Sequence, residues 1–250
     1  MPSCDLVSLI ISDRDAFERI CERKGFLPMR IFHRIDDVRY CSREMLKVLD
    51  FFAGTVRELI VAAIPCGLSK EMGRRICDYR NCSVYQHGYK HVNRVSRGWC
   101  DEFPETFSAV KARELIKTGR CRLEDVLQRE VRGYVPPWNN TSAGTVRILG
   151  ELGFEIYSAQ RSNTRPFLVN RDVCVDVASA YVPKIRYRSV DQVLDRVREE
   201  CRSSEEIGIL YHFKDTSAVS LSEMFRLVEE VEALQTECIV KELRNDISVV

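Results

Sequence analysis

Seven short runs rich in β-branched and aromatic residues, alternating with amphipathic helical patterns, constrain this chain more than any other feature. They are MRIFHRI (29–35), ELIVAAI (58–64), CSVYQ (82–86), RGYV (132–135), FEIYSA (154–159), VCVDV (173–177) and GILYHF (208–213). Strand, helix, strand, repeated along a chain, is the pattern of a parallel sheet, because each parallel pair needs a crossover long enough to hold a helix. Seven units within 250 residues favour a sheet closed or nearly closed on itself over an open one. The expected architecture is therefore α/β and TIM-barrel-like, a single domain over residues 1–250.

Several helices announce their starts. Ser42 precedes REMLKVLDFFAG, in which Met45, Leu46, Leu49 and Phe52 form one apolar face and Gly54 reads as a stop. Thr141 reads as a cap for SAGTVRILGEL, and Ser189 with Gln192 and Ser220 with Glu223 read as capping boxes. The interval from Asn93 to Glu130 holds two helical stretches, AVKARELIKTG and RLEDVLQREV, and is expected to decorate one end of the barrel.

Charge and cysteine content exclude some partners and compartments. A formal net charge of +1 gives no overall electrostatic pull toward nucleic acid or an anionic membrane. The eleven cysteines are scattered singly, with no CxxC pair and an odd total, which is not a disulfide framework. The N-terminal stretch MPSCDLVSLIISDRDAFER has no basic lead-in and its apolar run meets charges early. No segment approaches the ~20 apolar residues of a spanning helix. The expectation is a cytoplasmic protein without a transmembrane segment, its cysteines serving as small buried hydrophobes.

In parallel α/β folds, chemistry collects at the carboxyl ends of the strands. Asp36 and Asp37 end the first run, His87 and His91 follow the third, Pro136, Pro137, Trp138 and Asn139 follow the fourth, Asp176 lies near the end of the sixth, and His212 closes the seventh. Taken singly, each has a plainer reading: the histidines as exposed loop residues, the Asp pair as a solvated turn, His212 as hydrogen-bonded structure. Brought to one rim, two imidazoles and a carboxylate make a site for a catalytic divalent metal with positions open to water, and Asp37, His87 and His91 are the candidate ligands. Zinc suits this set, as do iron, cobalt, nickel and manganese. His33 alternates away from its strand neighbours and is assigned no chemistry.

The stretches RIDDV, QHGYKHVN, YVPPWN and GILYH stand in the order and approximate spacing of the motifs of the polysaccharide deacetylases, the NodB-homology group of metal-dependent carbohydrate esterases. The chain resembles this family over roughly residues 30 to 213. The resemblance implies a distorted (β/α)7 barrel, with Asp36 as general base, Asp37, His87 and His91 as metal ligands and His212 as general acid. It implies departures too. The family's first motif begins with Thr and an aromatic and closes with Gly, where this chain has Arg34, Ile35 and Val38. The arginine that steadies the base in the third motif is replaced by Val135, so either Arg34, Arg132 or another cation substitutes for it, or the base is tuned differently. Asp176 is the candidate for orienting His212. Trp138 and Tyr89 are candidate surfaces against a sugar ring, with Asn93, Glu102 and Asn139 as candidate hydroxyl or amide partners.

Amide hydrolysis needs these residue types because it requires an activated water, charge stabilisation at the carbonyl oxygen and a proton for the leaving amine. The expected function is a metal-dependent deacetylase acting on an N-acetylated sugar or polysaccharide precursor in surface-polysaccharide synthesis. The alternatives are a deformylase or other deacylase of a lipid-linked or nucleotide-linked sugar, and a catalytically silent carbohydrate-binding barrel.

Overall fold

The computed structural model describes residues 29–160, 171–175, 177–179, 189–202, 204, 206–212 and 218–247. In chain order the elements are β1 (Arg30–Val38), α1 (Arg43–Thr55), β2 (Leu59–Ala63), α2 (Lys70–Cys77), β3 (Cys82–His87), α3 (Ala109–Leu127), β4 (Gly133–Val135), a 3-10 turn at Pro137–Asn139, α4 (Ala143–Glu151), β5 (Ile156–Gln160), β6 (Arg171–Val175), β7 (Val177–Ser179), α5 (Val190–Glu200), β8 (Glu206–His212) and α6 (Ala218–Ile247).

Every strand pair is parallel, in the order β6-β5-β4-β3-β2-β1-β8-β7. The run expected as one strand, VCVDV, divides its pairing. Arg171–Val175 bonds to β5 at one end of the sheet, and Val177–Ser179 bonds to β8 at the other. Because β6 and β7 are separated by a single position, the two ends of the sheet must lie together, and seven strand runs curl into a distorted barrel.

Side-chain alternation sorts the strands into an inner and an outer face. Phe32, Ile60, Ala62, Tyr85, Val135 and Leu210 fill the inside. Their neighbours Ile31, Ile35, Leu59, Val61, Val84, Ile207 and Ile209 face outward into a core with the buried faces of α1, α2, α5 and α6. A second outer cluster, including Tyr134, Tyr157, Ile116 and Leu149, lies under α3 and α4. His33 belongs to the outer face, as expected. Its ring stacks on Tyr211, Nδ1 lies 2.9 Å from the Tyr211 hydroxyl, and Nε2 lies 3.1 Å from Glu232 on α6.

Serine side chains cap α1 to α5, through Ser42, Ser69, Ser108, Ser142 and Ser189, each accepting a backbone N–H three residues on. The Ser189–Gln192 capping box is complete. Three expectations shift. Ser142, not Thr141, caps α4; α1 continues through Gly54 to Thr55; and α6 already begins at Ala218, so Ser220 sits inside its first turn. The two helical stretches expected between Asn93 and Glu130 are one helix, α3. Among the described residues no helix is long and apolar enough to cross a membrane.

Candidate active site

Two adjacent residues of a regular strand face opposite ways, so Asp36 and Asp37 could not both reach one site without a departure from regularity. β1 supplies it. Against β2, Ile35 pairs with Val61 but Val38 pairs with Ala63, leaving one extra residue on β1, and Asp37 has φ 66. A bulge of this kind re-aims a side chain at a strand end. Asp36 keeps the inward phase of Arg34, and the fully buried Arg34 grips it at both oxygens, Nε to Oδ1 at 2.9 Å and Nη2 to Oδ2 at 3.1 Å. The same guanidinium donates to Ser158 through its carbonyl (3.1 Å) and hydroxyl (2.9 Å), and to Asn139 Oδ1. Arg132, the other cation considered, lies at the surface with Glu130 and Glu155.

His87 ends β3, fully buried, with Nδ1 3.0 Å from the Val135 carbonyl. That contact places the ring proton on Nδ1 and leaves Nε2 as the basic atom. Burial pushes the His87 pKa down, only partly offset by Asp36 and Asp37. The ring is thus held in the neutral form that ligates a metal. The chain then turns sharply, with φ 60 at Gly88 and φ 59 at His91. Glu102, 1% exposed, sits inside this turn: Oε2 accepts from the N–H of Tyr89 (3.0 Å) and of His91 (3.2 Å), and Oε1 from that of Lys90 (2.8 Å). A Cβ at position 88 would overlap Glu102 Oε2 and Pro137 Cγ, so glycine is required there by space as well as by φ. The His91 ring lies against Trp138, centroids 4.3 Å apart, and against His87 at 4.9 Å.

Asp37 Oδ1 is 3.3 Å from His91 Nε2 and 3.8 Å from His87 Nε2, and one ligand atom from each of the three residues falls within 4.8 Å of the others. Ligand atoms at ~2.0–2.1 Å from a tetrahedral ion stand roughly 3.3 Å apart. The separations and the donor set therefore fit a divalent metal.

The remaining sequence candidates divide. His212 pairs in register with Asp36 across β8 and β1, so both side chains rise on the same face, and its Nδ1 is buried without a hydrogen-bond partner among the described residues. Trp138 and Asn139 adopt successive left-handed conformations, φ 57 and φ 54, strained values that persist only where their surroundings enforce them. Trp138 joins the site through His91, whereas Asn139 is spent on Arg34. Tyr89 is half-buried, packed against the cluster under α3 and α4. Glu102 and Asn93 make their hydrogen bonds within the chain. The first is consumed by the histidine loop, and the second closes its own loop, its Oδ1 accepting from the N–H of Val95 (3.0 Å) and Asp101 (3.2 Å). Asp176 lies outside the described residues. Sequence reasoning missed Ser158 altogether, and missed the positioning role of Glu102. Periodicity places Ser158 two positions after Ile156 on β5, but nothing local marks it as a partner for Arg34.

No protein-family model and no curated protein matches the sequence. Solved structures match it in shape. A family 4 carbohydrate esterase from Streptomyces lividans in complex with acetate superposes with TM-score 0.55 at 15% identity over 84% of this chain and 88% of that one. A peptidoglycan N-acetylglucosamine deacetylase gives 0.56 at 12% identity, over 84% and 83%. A family 4 carbohydrate esterase pseudoenzyme from Bacillus anthracis gives 0.56 at 16%, over 81% of this chain and 61% of that one. The likeness is one of fold, and in fold this chain is a distorted (β/α)7 barrel of the polysaccharide deacetylase type.

Proposed function

We propose that the chain is a metal-dependent hydrolase that removes an N-acetyl group from an amino sugar in a surface-polysaccharide precursor. The observation that carries this reading is the convergence of Asp37, His87 and His91 within ligand distance, beside an Asp36 gripped by a buried guanidinium. A divalent ion bound there, zinc by preference, supplies Lewis-acid polarisation of the acyl carbonyl and a more acidic water. Asp36 takes the proton from the attacking water. Its orientation is set by the two-pronged grip of Arg34, which also matches its charge in a site closed to solvent. One backbone N–H of the Pro137–Asn139 turn, that of Trp138, would face the developing negative charge on the acyl oxygen, since Pro137 has none and the Asn139 N–H donates to the Pro136 carbonyl. His212, across the β1–β8 pair from Asp36, delivers a proton to the departing nitrogen. Trp138 offers a flat surface to the sugar ring.

The second reading is a barrel that binds carbohydrate without turning it over. The fold is shared by a pseudoenzyme, and Val135 stands where the resemblance calls for arginine. Against it weighs Arg34, which provides the grip on Asp36 from two positions earlier on the same face of its own strand. The test is acetate release from N-acetyl sugars by metal-loaded protein. His87→Ala is expected to lose metal and activity together. Asp36→Asn and His212→Ala are expected to keep metal while turnover falls on the order of 10² to 10⁴. Full metal occupancy with no acetate released from any N-acetyl sugar would favour the silent barrel.

A further inference from the structure

Four large apolar side chains are exposed among the described residues: Tyr40 (64%), Val92 (45%), Trp99 (83%) and Val110 (76%). Tyr40 lies just past β1, Val92 beside His91, Trp99 on the connection after β3, and Val110 in the first turn of α3. All four therefore stand on segments leaving the carboxyl ends of β1 and β3, the end of the barrel that carries the candidate site. An exposed apolar residue on its own needs no explanation, but a set confined to one rim does.

The loop after β3 also carries a cationic excess. Between His87 and Cys100 there is no Asp or Glu, while Lys90, Arg94 and Arg97 fall in that stretch and are exposed. The next carboxylates stand at the foot of the loop and beyond it, not along its exposed length. Asp101 and Glu102 are buried and accept backbone N–H groups, and Glu105 accepts from the N–H of Gly144 at 2.9 Å. Across the rim, Tyr40 lies between Arg39 and Arg43, with Glu44 beside them and Glu71 against Cys41, so the cationic excess is carried by the loop after β3. The loop is a pinned unit rather than a loose tail. Asn93 closes its feet, Arg94 N–H donates to the Asp101 carbonyl at 2.9 Å, and the Arg94 guanidinium covers the Phe107 ring at 4.6 Å. Arg97 and Trp99 are carried at its outer end.

A neutral glycan would use aromatic platforms but has no need of cations, and a soluble sugar nucleotide would use cations but has no need of an exposed apolar rim. Trp and Tyr rings flanked by Lys and Arg suit the headgroup layer of an anionic bilayer, where rings settle at the interface and cations are drawn to lipid phosphate. We propose that this rim docks the barrel on an anionic phospholipid surface, so that the candidate site meets an amino sugar carried on a membrane-anchored lipid phosphate. The choice of substrate rests on the deacetylase reading; the docking does not.

Co-sedimentation of the full chain with phosphatidylcholine vesicles, with and without phosphatidylglycerol, tests the docking. Binding is expected only to the anionic vesicles and should weaken with salt. Arg97→Ala should lower the partition coefficient about fivefold, and Trp99→Ala several-fold. Arg80→Ala, at the opposite end of the barrel, should not change it, and Trp99→Ala should leave hydrolysis of a soluble N-acetyl sugar unchanged. Equal binding to neutral and anionic vesicles, an Arg80→Ala effect as large as that of Arg97→Ala, or displacement from vesicles by a soluble sugar nucleotide would overturn the docking. Vesicle binding as expected, with no acyl release from any N-acetyl sugar, would support the docking and overturn only the substrate assignment.

Discussion

Glu102 and Gly88 shape the same loop from opposite directions, one by filling the turn with acceptors and the other by leaving room for them. Replacing Glu102 by Gln puts an NH2 group against backbone N–H donors, and one of the three amides loses its partner. Zinc affinity of Glu102→Gln, measured by chelator competition, is expected to fall roughly 10- to 100-fold, with the circular dichroism of the metal-free protein preserved. Unchanged affinity would show that the loop holds its shape without the carboxylate. His87 makes a different prediction. Its folded pKa is held below the ordinary 6.5 by burial, so the unfolded chain takes up a proton first as pH falls. Metal-free stability contributed by the neutral ring is complete above about 6.5 and declines on acidification through the folded pKa. Urea midpoints of the metal-free protein should fall from pH 7 to pH 5, more steeply than those of His87→Gln, and parallel curves would remove His87 as the cause.

Among the elements, β1 decides most. Its inward face carries Phe32, Arg34 and Asp36, its outward face Ile31, His33 and Ile35, and both sets follow from period-two alternation. The extra residue at Asp37 does not follow from it, because a bulge depends on how β1 meets β2 and leaves no mark on hydrophobic periodicity. The helices were easier to read. Leu49 and Phe52 on α1, and Val193, Leu194 and Val197 on α5, are buried as a 3.6-residue period requires. The Ser189–Gln192 box forms with both of its bonds, at 3.2 Å and 3.1 Å. Ser189→Ala is expected to cost about 1 kcal/mol in chemical denaturation with activity unaltered, and a loss of activity without one of stability would assign α5 a part in the site. Where the reading slipped, at Thr141 and Ser220, two hydroxyl residues or a longer helix competed for one start, and packing chose between them.

For the whole molecule, closure and composition can be tested together through the thiols. The described cysteines include exposed Cys77 and Cys121 and buried Cys82, each a thiol outside any disulfide. Burial pushes the Cys82 thiol up to about 12, with Arg129 only partly opposing it. In native protein a thiol reagent should label Cys77 and Cys121 quickly and Cys82 only at the rate of unfolding, and denatured, non-reduced protein should yield nearly all of the eleven cysteines in the sequence. Rapid native labelling of Cys82 would mean that the sheet opens near β3. The number of strand runs, their parallel pairing and the placing of Asp36, His87, His91 and His212 at strand carboxyl ends follow from local periodicity and crossover geometry, which a single chain carries in its own pattern; the turning of Asp37 into the site does not. The pairing of Arg34 with Asp36, Ser158 and Asn139, the burial of Glu102 within the histidine loop, and the division of VCVDV between two sheet edges join residues that share no local pattern. They are decided by which backbones and side chains the curled sheet brings within hydrogen-bonding distance, a condition that exists only once the chain has folded.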